Sequence, residues 1–277
     1  TWYVREIEQP AGFVLDDTIY PVTIGADGQV VEIKIVNKYV RGNIHLTKVD
    51  SEYPDNKLTG ATFEVYKDSN ANGKLDSGDE LLGTLTEKEK GEYSMNDLFY
   101  GRYFVKETKA PEGFVLDTGV YEVMIDTNGK TYEVENKAGV GFVNDAMRGN
   151  LKIVKTSSDG KVKGFAFRIT GANGYDIILE TNDKGEIFID ELRIGDYTIS
   201  EVSNSASSMY VIPADKKATV KLGSTTIVEM HNVLRDTPKT GDTTNLPLLY
   251  ALAGLSAVGI AVCGVIGFKK KKKEDRN

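Results

Sequence analysis

The chain has 277 residues, 40% of them hydrophobic and 27% charged, with a net charge of −7. That balance belongs to a globular protein of two or three domains and excludes a disordered chain. From Gly241 onward the charge is +3, leaving −10 on everything before it, which argues against a nucleic-acid partner.

Up to residue 245 apolar residues alternate in short runs separated by turn signals such as "ADG", "TNG", "SSDG" and "NDKG", and no long helical period interrupts them. The pattern predicts an all-β region of tandem Ig-like sandwiches, each with about seven strands and with first and last strands able to be neighbours. The N-terminal stretch "TWYVREIEQPAGF" has neither a basic start nor an apolar core, so it is no signal peptide. It also begins in mid-pattern, and the expectation is that an upstream portion precedes Thr1.

The pattern repeats. "VNKYVRGNI" (36–44) returns as "VNDAMRGNL" (143–151), and "EQPAGFVLD" (8–16) as "KAPEGFVLD" (109–117). "WYVRE", "YFVKE" and "YTISE" share an aromatic, a β-branched residue and a terminal Glu at alternate positions. The predicted boundaries are a half-domain at 1–41, complete domains at 42–148 and 149–235, and a C-terminal segment at 236–277. Glu6 to Asn37 and Glu201 to Asn232 are each 31 residues apart, whereas Glu107 and Asn144 are 37 apart, with "VENKAGVG" (134–141) as the local insertion.

Three polar landmarks share a face with core residues. In "GNIHLTKVD" alternation puts Lys48 in line with Ile44 and Leu46, and in "GNLKIVKTS" it puts Lys155 in line with Leu151 and Ile153. By the same test Glu107 and Glu201 face inward with Tyr103 and Val105, and with Tyr197 and Ile199. Asn144 and Asn232 face inward with Phe142 and Met230. Buried polar groups are costly unless they satisfy one another. Two readings follow: a buried Lys–Glu pair hydrogen-bonded to the Asn, or a covalent Lys–Asn isopeptide bond. Burial favours neutral lysine, a nucleophile, and neutral glutamic acid, which can move protons and polarise the Asn carbonyl.

"YFVKETKAPEGF" resembles the glutamate-containing E-box of Gram-positive pilins and adhesins, and the lysine and asparagine strands resemble those of their Cna-B-type, SpaA-like prealbumin-fold domains. The resemblance covers 1–235. It implies that Lys48 and Asn144 are crosslinked with help from Glu107, and Lys155 and Asn232 with help from Glu201. Glu6 and Asn37 match the same roles without their lysine. The third unit departs from the motif, with "SEVSNSASS" where the others carry Pro and Gly-Phe.

Between Asp68 and Glu80, "DSNANGKLDSGDE" spaces Asp68, Asn70, Asn72, Asp76 and Asp79 as a calcium loop does, but no Glu stands at the twelfth place. A plain hairpin loop is the alternative to calcium binding. Neither His45 nor His231 has a second ligand in metal spacing.

Leu246 to Phe268 is an apolar run long enough for a transmembrane helix, and Lys269–Lys273 (269–273) place the C-terminus in the cytoplasm. The one cysteine, Cys263, lies in that run, so the predicted extracellular part has no disulfide. Just before the run stands Thr237-Pro238-Lys239-Thr240-Gly241. The order of pentapeptide, span and basic tail resembles the cell-wall sorting signal (LPXTG) read by sortases, with Thr237 in place of the usual Leu. It implies cleavage between Thr240 and Gly241 and covalent transfer of Thr240 to peptidoglycan. The sequence reading is therefore a non-enzymatic stalk of a wall-anchored adhesin or pilin-like protein, meeting a host or matrix ligand through the upstream region. The alternatives are a spacer carrying an upstream enzyme and a collagen- or glycan-binding module.

Overall fold

The computed structural model describes residues 1–236. They are almost wholly β, and the one helical element among them is a 3₁₀ turn, Ala172–Gly174. No helix among the described residues is long and apolar enough to cross a membrane. The predicted span 246–268, the pentapeptide and the lysine run lie outside the described residues.

The first forty residues form four short strands, β1 (Trp2–Val4), β2 (Phe13–Val14), β3 (Tyr20–Val22) and β4 (Lys38–Tyr39). They pair antiparallel as β1–β3 and β2–β4. Trp2, Tyr3 and Val4 are exposed, so this segment has no closed core of its own.

The middle sandwich runs through nine strands, β5 (Arg41–Asp50), β6 (Thr62–Lys67), β7 (Glu80–Thr84), β8 (Thr86–Glu89), β9 (Glu92–Phe99), β10 (Gly101–Lys109), β11 (Val120–Ile125), β12 (Thr131–Glu133) and β13 (Phe142–Asn144). One sheet has the order β11-β10-β6-β7 and the other β12-β5-β9-β8, with β13 also on β5. Inward residues of both sheets fill the core, where Phe63 meets Tyr93 and Phe142 edge-on at 5.3 and 4.9 Å between centroids.

The count exceeds the predicted seven partly because the closing strand is broken. β12 and β13 both lie parallel to β5, with Glu133 opposite His45 and Phe142 opposite Lys48. The chain between them loops out at the predicted insertion.

The third sandwich has seven strands, β14 (Arg148–Ser157), β15 (Ala166–Thr170), β16 (Asp176–Glu180), β17 (Glu186–Arg193), β18 (Gly195–Val202), β20 (Lys216–Val220) and β21 (Thr225–Leu234), and the two-residue β19 (Tyr210–Val211) falls between β18 and β20 in the chain. Its sheets are β16-β15-β18-β20 and, facing it, β17-β14-β21. Here the closing strand is continuous, and β14 and β21 stay in parallel register from Asn150↔Thr225 to Ser157↔Asn232. Met209–Val211 and the described residues 233–236 belong to a separate compact unit, in which Tyr210 pairs with Leu234 and Val211 with Val233.

Candidate functional site: a buried lysine, glutamate and asparagine in each sandwich

The strand β5 buries every second residue: Gly42, Ile44, Leu46 and Lys48 face the core. β14 does the same with Leu151, Ile153 and Lys155. Lys48 has no exposed surface and Lys155 has 1%. Glu107, on β10 of the opposite sheet, is also fully buried, and Glu201 on β18 is nearly so. Asn144 and Asn232 close the set from the last strands, at 3% and 0% exposure. The inward orientation predicted from alternation is thus found for all six residues.

The register is the same in both sandwiches. Lys48 lies opposite Phe142 and Lys155 opposite Met230, and the asparagine stands two residues further along the same strand. Alternation turns that asparagine to the lysine's face. The glutamate stands opposite a core phenylalanine in each case, Glu107 opposite Phe63 and Glu201 opposite Phe167.

A glycine presses on the lysine strand in each sandwich. The amide of Lys48 donates to Gly91 O and that of Lys155 to Gly185 O, both at 2.7 Å. A Cβ on Gly91 would meet Lys48 O at 2.9 Å, and one on Gly185 would meet Lys155 O at 2.7 Å. Both glycines have positive φ, +70° and +76°, so other residues would be strained there as well as crowded. The shared "KGE" at 90–92 and 184–186 is the sequence signal for this contact.

The hydrogen bonds run between glutamate and asparagine. Asn144 Nδ2 donates to Glu107 Oε1 and Oε2 at 3.0 and 2.8 Å, and Asn232 Nδ2 donates to Glu201 Oε1 at 2.6 Å. The lysines turn to main-chain carbonyls: Lys48 Nζ donates to Phe142 O at 3.1 Å, and Lys155 Nζ donates to Thr156 O. Asn144 Oδ1, Asn232 Oδ1 and Glu201 Oε2 are buried and have no hydrogen-bond partner among the described residues. A buried carbonyl left bare is costly. Turning the amide over would set that oxygen on the glutamate, provided the carboxyl carries a proton to donate.

The electrostatics favour that proton. Burial raises Glu107 above the usual carboxylate range, against the lowering effect of hydrogen bonds from the Asp117 amide and Asn144 and of the charge on Lys48. Burial raises Glu201 likewise, opposed by Asn232 and Lys155. Burial also brings Lys48 down to about 8, although Glu107, Asp117 and Asp50 pull it up, and it lowers Lys155 in the same direction. Both partners are pushed toward their neutral forms, the state in which an amine is nucleophilic and a carboxyl can protonate a carbonyl.

The N-terminal half-domain repeats part of this arrangement. Asn37 Nδ2 donates to Glu6 Oε1 at 2.6 Å, and the Asp16 amide donates to Glu6 Oε2 at 2.7 Å. The middle sandwich has the counterpart, the Asp117 amide on Glu107 Oε2 at 2.8 Å. Asp16 and Asp117 are site residues the sequence reading passed over. Their signal was the shared last letter of "EQPAGFVLD" and "KAPEGFVLD".

The 68–79 loop does gather its five predicted residues, but their oxygens are engaged by N–H groups of the same loop. Asp68 accepts from the Asn72 and Gly73 amides at 3.2 and 3.1 Å, Asp76 accepts from Gly78 at 2.7 Å, and Asp79 accepts from Ser69 at 3.1 Å. Asn72 Nδ2 and Asn70 Nδ2 both donate to Asp76. No group of three or more His, Cys, Asp or Glu residues placed to hold a metal occurs among the described residues. The sorting pentapeptide, Thr237–Gly241, lies outside the described residues.

The SpaA prealbumin-like fold domain matches twice, at residues 42–138 and 149–233. The trypsin-resistant surface T6 protein of Streptococcus pyogenes serotype M6 is 28% identical over 194 residues, which are 69% of this chain and 32% of that protein. The Bacillus anthracis TIE protein superposes with a TM-score of 0.62 at 26% identity, over 83% of this chain and 41% of its own. The chain therefore spans less than half the length of either relative. With both sandwiches matched, the chain belongs to the SpaA prealbumin-like fold domain family.

Proposed function

We propose that the chain is the structural stalk of a sortase-anchored bacterial surface protein of the adhesin or pilin-like kind, and that each complete sandwich locks itself with a Lys–Asn isopeptide bond. The observation that carries the bond is the identical register of lysine and asparagine on parallel first and last strands, with a buried glutamate facing both from the other sheet.

The reaction balances without a cofactor. The neutral amine of Lys48 attacks Cγ of Asn144, forming Nζ–Cγ. Protonated Glu107 gives its proton to the amide oxygen as the tetrahedral adduct forms; the resulting carboxylate takes a proton from the attacking nitrogen and passes it to Nδ2, and the oxygen's proton returns to Glu107 as the carbonyl re-forms. The Cγ–Nδ2 bond then breaks and ammonia leaves. Lys155, Glu201 and Asn232 repeat the sequence. Each product is a neutral amide, so the core no longer holds an ionisable amine. Each lysine acts once, so the chain turns over no substrate.

The anchor rests on the order of Thr237–Gly241, apolar run and lysines. On this reading the mature protein lies outside the cell, joined through Thr240 to peptidoglycan. The likeness to a surface protein of a Gram-positive organism supports that location.

The test is the intact mass of a purified 42–236 fragment. Two completed condensations lower it by ~34 Da, two ammonia losses. A mass equal to that of the sequence overturns the covalent reading for both sandwiches.

A further inference from the structure

The two lysine sites differ in what holds the asparagine strand. In the third sandwich Asn232 belongs to β21, a ten-residue strand laddered to β14 along eight register positions. In the middle sandwich Asn144 ends β13, which has three residues and is cut off from β12 by the looped insertion. A strand that short supplies little of its own positioning, yet the reaction needs the amide carbon held against the amine.

The insertion supplies the missing support through Asn136. Its side-chain amide pairs with the backbone of Val143 as a neighbouring strand would: Val143 N donates to Asn136 Oδ1 at 2.6 Å, and Asn136 Nδ2 donates to Val143 O at 2.8 Å. The same Nδ2 donates to Asp117 Oδ2 at 2.7 Å. Asp117 is fixed in turn by the Gly119 amide at 2.6 Å and the Tyr121 hydroxyl at 2.9 Å. Its own amide donates to Glu107 Oε2, and Glu107 accepts from Asn144. The contacts close a ring from Asn144 through Glu107, Asp117, Asn136 and Val143 back to Asn144. In the third sandwich the corresponding glutamate oxygen, Glu201 Oε2, has no hydrogen-bond partner among the described residues.

We propose that Asn136 is a positioning residue for the middle crosslink, holding β13 and, through Asp117, Glu107 in the geometry in which Lys48 reaches Asn144. This rests on the isopeptide reading above. It assigns a role to the insertion: the loop that interrupts the closing strand also replaces the ladder it removes.

The experiment follows both crosslinks in one chain. Full-length protein from inclusion bodies, dissolved in guanidinium chloride, is refolded by dilution. Samples taken over time are digested, and the peptides joined at Lys48–Asn144 and Lys155–Asn232 are quantified by mass spectrometry. The expected result for Asn136→Ala is a middle bond that forms about tenfold or more slowly, with the third bond at its wild-type rate. Asn136→Asp adds a readout that lost packing alone does not move. It keeps the acceptor for Val143 N–H but places a carboxylate against Asp117, with Glu107, Lys48 and the Tyr121 hydroxyl facing the pair. Adjacent carboxylates share a proton at low pH, so the ratio of variant to wild-type rate should rise from pH 8 to pH 5. A middle bond that closes at the wild-type rate in Asn136→Ala overturns the assignment alone. So does a pH-independent ratio in Asn136→Asp, which decides the matter if the alanine variant does not refold. Wild-type protein that never loses ammonia from the middle sandwich overturns the isopeptide reading and the assignment with it.

Discussion

Arg193 grips Asp50 across 143 residues of sequence: Nη1 and Nη2 donate to the two carboxylate oxygens at 2.6 and 2.7 Å. Asp50 is fully buried, at the end of the strand that carries Lys48, while Arg193 comes from β17 of the next sandwich. The same guanidinium reaches Glu52 through Nε and Nη2, and Arg148 also pairs with Glu52. Two consecutive domains are thus pinned by a forked contact that a point charge cannot reproduce.

Replacing Arg193 by Ala leaves a buried carboxylate without its counter-ion. The expected loss is about 3–5 kcal/mol in urea unfolding of the middle sandwich. Arg193→Lys should recover only part of it, because one ammonium cannot bridge both oxygens of Asp50 and also Glu52. A lysine variant as stable as wild type would show that charge alone sufficed.

Glu107→Ala removes the proposed proton carrier from the middle site and leaves the third untouched. The intact mass should then show one ammonia loss, ~17 Da, instead of two. Peptide mapping should find Lys155 joined to Asn232 and Lys48 free. A middle crosslink at full yield in this variant would assign the proton transfer to another group.

Asn144→Ala keeps Lys48 as a buried free amine and so exposes its titration. Burial puts the folded-state value at about 8, below the ordinary 10.5. The unfolded chain therefore binds more protons between those values, and stability rises with pH across that window, by roughly 3 kcal/mol in all. Glu107, raised in the folded state by burial, acts oppositely. Its contribution is present below the unfolded value and is lost as pH rises through the folded one. Stability of the variant measured by denaturant titration should therefore fall above the ordinary glutamate range and climb again from pH 8 to 10.5. Wild type should lack the climb, because the proposed crosslink would turn Lys48 into an amide.

Replacing Thr240 should leave the protein in the membrane fraction with its lysine tail. On the proposed sorting-signal reading, the transferring enzyme would hold the carbonyl of this residue as a thioester before an amine could take it, and the 269–273 run would retain the uncut tail at the cytoplasmic face. Wild-type protein should be released by peptidoglycan digestion and should lack Gly241 onward. Release by detergent alone, with the tail intact, would show a simple single-span protein.

Much of the site could be read from period-2 alternation, because a strand with one buried face assigns every side chain to core or solvent. That is why the inward faces of Lys48, Glu107 and Asn144 are legible in the sequence alone. Repeat spacing also located the insertion, but not its function: a side chain that mimics a strand leaves no periodic trace, so Asn136 looked like one more loop residue. Asp117 was visible only as a repeated letter, since its contribution to Glu107 is a backbone amide. The Arg193–Asp50 contact was invisible, because a single pair so distant in sequence has no pattern to betray it. The strand count fell short where short edge pieces such as β8 (Thr86–Glu89) carry no buried residues and hence no alternation.

The parallel pairing of first and last strands also sets how far a sandwich can stretch. The chain enters at the start of β5, and both Lys48 and Asn144 lie at the end of that strand's ladder, from which the chain departs toward β14. An isopeptide bond there leaves Val49 to Val143, about 95 residues, hanging as a closed side loop. Those residues amount to roughly 320 Å of extended chain that tension could otherwise pay out. With such a bond closed, the reach of the sandwich under load would be set by β5 alone, and a pull that melted the loop's hydrogen bonds would yield no extra reach.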